Sequence, residues 1–293
     1  MLPEVATREV GVEFTRISPR SAALALAKAF SGEVMEEDPY AFSVHTETFG
    51  RLRVELDVRH VHARRADNPW PWLHPWITRS LGRLLSPFVP RELVTDPLPT
   101  AKLPEIDRAV RILHQAGAGG HGFTPFGGLG LHFNVVPRCL DAKSVLSLLQ
   151  AFLTLEPDLR HAHGYSCPQA AFAPPRFPPA YVRRVLAPEY APTLRTLCDD
   201  YVEANPTRKR ALDLLPLLLH LFPCDVAGRI YGKVAPRPAL HYRLPLAYVG
   251  RGGWSIADAW NLWIEVEKLA QNPDRLGRFA TARLADPDLR PIM

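Results

Sequence analysis

Arg51-Leu52-Arg53-Val54-Glu55-Leu56-Asp57-Val58-Arg59 alternates charged and apolar residues along its whole length. Successive side chains on a β-strand point to opposite faces. The spacing therefore predicts a strand with Leu52, Val54, Leu56 and Val58 on one face and Arg51, Arg53, Glu55, Asp57 and Arg59 on the other. One face suits a core, and the other suits water or a ligand.

Working outward, residues 10–17 and 41–46 also read as strands, and Ser18-Pro19 can cap and open a helix over 21–30. The segment 68–90 carries Trp70, Trp72 and Trp76 among five prolines and reads as a loop with a short helix near 77–85, its tryptophans packed. A strand over 92–95, a helix over 104–116 and a glycine-rich stretch over 117–130 lead into a strand at 129–135. Asp141 can cap an apolar helix reaching residue 155; residues 161–180 read as loop. Helices are expected over 194–204 and 212–222, the second with Pro216 near its start, and a strand over 239–244. Ser255 with Asp258 resembles a capping box opening a helix over 256–270, with Trp260 and Trp263 on its core side. Strands and helices intermix without a βαβ rhythm. The fold class expected is therefore α+β, an antiparallel sheet backed by helices, in one domain spanning residues 1–293.

The chain has 293 residues, 47% hydrophobic and 22% charged, which is the balance of a folded domain. Its 30 prolines favour stiff connections over a repetitive helical array. It has no uncharged apolar run of about 18 residues, so no membrane span is expected. Glu4, Arg8 and Glu9 near the start argue against a secretory signal. Cys139, Cys167, Cys198 and Cys224 are scattered and read as reduced thiols, so a cytoplasmic location is expected. A net charge of +5 suits a polyanionic small molecule such as a nucleotide. Nucleic acid would account for that charge equally well, but such a role would rest on the pI alone, so no nucleic-acid partner is expected.

The same two-residue period pairs Glu55 with Asp57, His132 with Asn134, and His241 with Arg243, while Leu56, Phe133 and Tyr242 point to the core. Glu13 adds an acid to the first strand, with Gly11 and Thr15 as same-face neighbours. A solvated sheet face would account for any one pair. Acids, histidines and an arginine on several short strands suit a magnesium–phosphate site better, because magnesium takes carboxylate and phosphate oxygens and arginine balances the phosphate charge.

Gly11-Val12-Glu13, Arg53-Val54-Glu55-Leu56-Asp57, Glu92-Leu93-Val94-Thr95-Asp96-Pro97-Leu98 and Gly130-Leu131-His132-Phe133-Asn134 occur in that order. They are followed by Tyr201-Val202-Glu203-Ala204-Asn205-Pro206-Thr207-Arg208-Lys209-Arg210, Leu212-Asp213-Leu214-Leu215-Pro216 and His241-Tyr242-Arg243-Leu244-Pro245. From about residue 9 to 270 this series resembles the amidoligases, a branch of the carboxylate–amine ligases related to glutamine synthetase and glutamate–cysteine ligase; residues 271–293 would be an extension. The resemblance implies a glutamine synthetase-like sheet whose concave face holds ATP and a divalent metal, Mg2+ or Mn2+. It implies metal contacts at Glu13, Glu55, Glu92 and His132. It implies nucleotide, phosphate or carboxylate contacts at Asn134, Asn205, Arg208, Arg210, His241 and Arg243, with Glu55, Arg208 and Arg243 as the catalytic set. The partners implied are a small-molecule or peptide carboxylate and an amine. Where the family's first strand reads Gly-x-Glu-x-Glu, Thr15 stands in place of the second acid.

Asn205-Pro206 also reads as a helix start, and Arg208, Lys209 and Arg210 there would oppose the helix dipole unless an anion offsets them. His60, His62 and His74 read as solvated loop histidines rather than zinc ligands. Two rival functions follow from single features. Thr15 suggests a non-catalytic nucleotide- or peptide-binding member, and His163 with Cys167 suggests a cysteine-dependent hydrolase.

Overall fold

A computed structural model describes residues 7–62, 72, 74–124, 127–165 and 169–289. The chain divides into two compact units, each made of two stretches: Met1–Phe133 with Pro245–Ala257, and Asn134–Leu244 with Asp258–Met293. Every strand pairing described below with its register is antiparallel, and helices and strands mix as the α+β reading expects.

The first unit contains β1 (Thr7–Phe14), α1 (Pro19–Ala29), β2 (Glu33–Asp38), β3 (Ala41–Thr46) and β4 (Gly50–Leu56). Then come α2 (Pro75–Leu85), β5 (Arg91–Thr95), β6 (Leu98–Pro99) and α3 (Leu103–Gln115). A small hairpin of β7 (Phe123–Thr124) and β8 (Gly127–Gly128) precedes β9 (Leu131–Val135), whose first three residues belong here. The sheet order is β9-β1-β5-β4-β3-β2, with β6 also on β1. Val12 pairs with Leu93 and Leu93 with Val54, and all three are fully buried with α1 packed over this face. The opposite face carries the polar residues.

The alternation that defines β4 holds to Leu56, but the chain then turns into a 3-10 turn at Arg59–Val61 instead of running on to residue 59. Asp57 still donates its amide to Pro90 O at 3.0 Å, so it sits at the end of the ladder. Ser18 caps α1 through the Ser21 amide, as expected. At the start of the helix at Ile256, the Ile256 and Ala257 amides donate to the two carboxylate oxygens of Asp107 in α3. Trp72 and Trp76 are exposed, at 76% and 64%, and not packed; Trp70 lies outside the described residues. His62 is buried between the Asp38 carboxylate and the Leu56 carbonyl, so it is a packing residue and not a solvated one.

The second unit contains α4 (Ala142–Ala162), α5 (Pro179–Leu186), α6 (Leu194–Ala204), β10 (Leu212–Asp213), α7 (Leu215–Leu221), α8 (Pro223–Val226) and β11 (Leu240–Tyr242). It also holds most of α9 (Ile256–Ala270) and all of α10 (Pro273–Leu284). Its core is a chain of rings, Phe152, Phe177, Tyr181, Tyr201, Tyr242 and Trp263, with α4 packed on α5, α6 and α10.

Three expectations are corrected in this unit. α4 continues through Pro157 to Ala162, and a buried Glu156–Arg160 pair at 2.9 Å spans the turn that contains the proline. The span 212–222 is a short strand followed by a helix, with Pro216 inside the first helical turn. Asn205 ends α6 and does not start a helix: its amide donates to Tyr201 O at 2.8 Å. The cations that follow therefore lie past a helix C-terminus, where the dipole favours positive charge, and no anion is needed to offset them.

Candidate active site

Register builds the first cluster. On β1, β5 and β4, Glu13 lies directly opposite Glu92, and Glu92 directly opposite Glu55. This places three carboxylates side by side on the polar face of three adjacent strands, an arrangement that is destabilising unless a cation or a proton relieves it. His132 reaches between two of them, with Nε2 at 3.7 Å from Glu13 and Nδ1 at 3.5 Å from Glu92. Arg53 pairs with Glu55 at 3.0 Å. Two glycines make the room. A Cβ on Gly11 would lie 2.4 Å from Glu92 Oε1, and one on Gly130 would lie 2.1 Å from His132 Nε2.

Glu13 and Glu55 are each only 8% exposed. Burial pushes the Glu13 carboxyl up to about 7; Asp57 and Glu92 add to the rise, while His132 and the Gly130 amide, which donates at 2.8 Å, hold it back. The oxygen donors suit a hard divalent cation, which binds through one or two carboxylates and completes its shell with phosphate and water. Among the described residues, no three His, Cys, Asp or Glu side chains form a ready-made metal cage.

Thr15 is turned to another task. Its amide and its hydroxyl both donate to Gly119 O at 2.8 Å, and the Gly119 amide returns a bond to Thr15 O at 3.2 Å. The strand end is thus fastened to the glycine-rich segment, which is itself held by residues 245–249. Gly120 donates to Val249 O, Gly122 to Ala247 O, and Leu131 to Pro245 O.

In the second unit, Asp213 faces His241 in the β10–β11 register, and His241 Nδ1 donates to Asn134 Oδ1 at 2.7 Å. Asp213 is 1% exposed and lies 3.8 Å from Arg243. Burial pushes its carboxyl up to about 6 against the pull of Arg243, the Leu215 amide and Arg208. Asp213, Arg208 and Arg243 thus form one electrostatic group. Sequence reading quoted Asp213 but gave it no role; the signal was an acid placed to bond the Leu215 amide at the start of a proline-opened helix.

The remaining expected contacts are engaged elsewhere or enclosed. Arg210 donates to Arg176 O and lies over the Phe177 ring at 5.6 Å, and Arg208 reaches Lys233 O at 3.4 Å. Asn205 is fully buried. His163 is bonded to the Tyr242 hydroxyl at 2.9 Å, and Cys167 lies outside the described residues. No helix is long and apolar enough to cross a membrane among the described residues.

No curated protein and no solved structure matches the chain. One family model, described as "Putative amidoligase enzyme", matches residues 6–265, a span that includes Glu13, Glu55, Glu92, His132, Asp213 and Arg243. The chain belongs to that family of amidoligases.

Proposed function

We propose that the protein is an ATP-dependent carboxylate–amine ligase with a glutamine synthetase-like site. The observation that carries this reading is the row Glu13–Glu92–Glu55 with His132 inserted beside it, in a chain of the amidoligase family. In the proposed reaction a substrate carboxylate attacks the γ-phosphorus of ATP, giving an acyl phosphate and ADP. An amine then adds to that carbonyl, and phosphate leaves to give the amide. A bound Mg2+ or Mn2+ would neutralise phosphate charge during transfer. Glu55 and Glu92 would hold it, with Glu13 and His132 at its flank. Within the second unit, Arg208 and Arg243 are the groups suited to phosphate or carboxylate oxygens, with Asp213 as the buried counter-charge beside Arg243.

A second reading has one observation in its favour. The Thr15 hydroxyl donates to Gly119 O, so the position where the resemblance expects a second acid carries no negative charge. That suits a member that binds nucleotide or peptide without turnover.

The deciding experiment measures ADP release from MgATP in a screen of carboxylates and amines. The ligase reading expects magnesium-dependent, amine-stimulated ADP release, and Glu55→Gln should lower it by about a hundredfold or more, the usual scale for a charge acting on a transfer step. Tight MgATP binding with no ADP from any pair would select the non-catalytic reading. Equal rates in wild type and Glu55→Gln would remove Glu55 from the site.

A further inference from the structure

Among the described residues, two non-glycine residues have positive φ: Arg16 at +77° and Ser31 at +51°. Ser31 has an ordinary reason, since it ends α1 and lets the Gly32 amide reach Ala27 O. Arg16 has none of that kind. The Ile17 amide closes onto Thr15 O at 3.1 Å, so Arg16 is the centre of a three-residue turn, and with a positive φ this is its rare, strained form. Glycine or asparagine would adopt it at lower cost, yet a long cationic side chain stands there.

The side chain is also placed. It lies along the backbone of Gly119, where an added Cβ would come within 3.1 Å of Cδ and 3.2 Å of Nε and Nη1. Gly119 is the residue that Thr15 fastens through three hydrogen bonds, so strap, strained turn and arginine form one local assembly. Among the described residues the exposed guanidinium has no hydrogen bond and no ion pair. Arg16 follows Glu13 by three residues, which keeps the two Cα atoms within about 10 Å of each other, less than the length of a nucleotide triphosphate chain with its sugar.

We propose that Arg16 is an anion-binding residue, its guanidinium held along Gly119 to receive a multi-oxygen group, carboxylate or phosphate, of a ligand seated beside the Glu13 row. The inference rests on the ligase reading for where that ligand sits, and it adds a cation to a unit whose polar face is otherwise rich in acids. A planar guanidinium with free donors pairs such oxygens two at a time, which a lysine cannot do. The strain would then be kept because the turn aims the side chain.

The test exploits that strain. Arg16→Gly should leave the melting temperature unchanged or raise it by roughly 0 to 5 degrees, since glycine accepts the positive φ. The same variant should weaken anion binding by about tenfold to a hundredfold, the loss expected for a charged hydrogen bond. Calorimetry on the full chain would use three probes: MgATP, tripolyphosphate and L-glutamate. Loss for MgATP and tripolyphosphate together assigns Arg16 to the phosphate chain, and loss for L-glutamate alone assigns it to the carboxylate substrate. Arg16→Lys should recover part of the affinity, and Arg16→Gln should not. Unchanged affinity for all three probes in Arg16→Gly, or no binding of any of them by the wild type, would overturn the proposal. Because binding is read without turnover, a wild type that binds these anions through Arg16 yet never releases ADP would sink the ligase reading and keep this one.

Discussion

Replacing Glu13 with Gln should make the protein more stable at alkaline pH, even though it removes a candidate ligand. An ordinary glutamate loses its proton near 4.5, whereas buried Glu13 holds it to about 7. Between those values the folded chain binds more protons than the unfolded chain, so stability falls as pH rises through that window. At about 1.4 kcal/mol per pH unit, the full penalty by about pH 8 is on the order of 3 kcal/mol. Glutamine keeps the side-chain oxygen that accepts the Gly130 amide but has no charge to bury. The gain of Glu13→Gln over wild type should therefore be near zero at about pH 3.5, about 1 kcal/mol at about pH 5, and approach about 3 kcal/mol at about pH 8. Urea unfolding of both proteins at several pH values, without divalent metal, measures it, and titrating groups not coupled to Glu13 cancel in the difference. Added magnesium should narrow the gap at alkaline pH by stabilising the wild type. A difference that does not vary with pH, or a wild type that is the more stable at about pH 8, would refute the assignment of that proton to the Glu13 row.

Two further outcomes follow from the geometry. His163 is buried and held down to about 4 from its ordinary 6.5, so the unfolded chain binds more protons between those values and stability is lost as pH falls through them. Replacing it with Gln should flatten that acid limb by about 3 kcal/mol in urea titrations, and an unaltered limb would show that another group causes it. Gly130→Ala puts a methyl where His132 Nε2 lies, so it should displace the ring, cost roughly 1–3 kcal/mol and weaken magnesium binding; unchanged metal affinity by calorimetry would separate His132 from the metal.

What could be read from the sequence was whatever depends on near neighbours along the chain. The two-residue period placed Leu56, Phe133 and Tyr242 in the core, where they are fully buried, and Glu55, His132 and His241 on the other face, where the histidines are half-buried but Glu55 is enclosed at 8% exposure. β2 escaped because Glu33, Glu36, Glu37 and Asp38 make it polar on both faces; it is a strand because β3 offers it a ladder from His45 to Ala41. α5 escaped because prolines read as loop, although Pro179 opens the helix. For the site, each acid could be named, but not that Glu13, Glu92 and Glu55 share one row, since register between strands far apart in sequence is set by the whole sheet. Nor does Thr15-Arg16-Ile17 carry a turn residue that would announce the strained bend at Arg16.

The stretch Pro245–Ala257, which returns to complete the first unit, bears on how the chain is made. The amides of Gly120, Gly122 and Leu131 find their acceptors only there, and Asp107 finds in Ile256 and Ala257 the helix end it caps. On a ribosome, residue 257 follows residue 133 by roughly 120 residues, about 6 to 24 seconds of synthesis. For that interval the glycine-rich segment is held only from the β1 side, by Thr15 and Glu13, with the Gly120, Gly122 and Leu131 amides still unpaired, so a nascent chain would be open there to chaperones and proteases. Acquisition of the site then becomes a late, post-emergence event, and a slowly translated or prematurely stopped message would yield chains with the sheet begun and the site unmade.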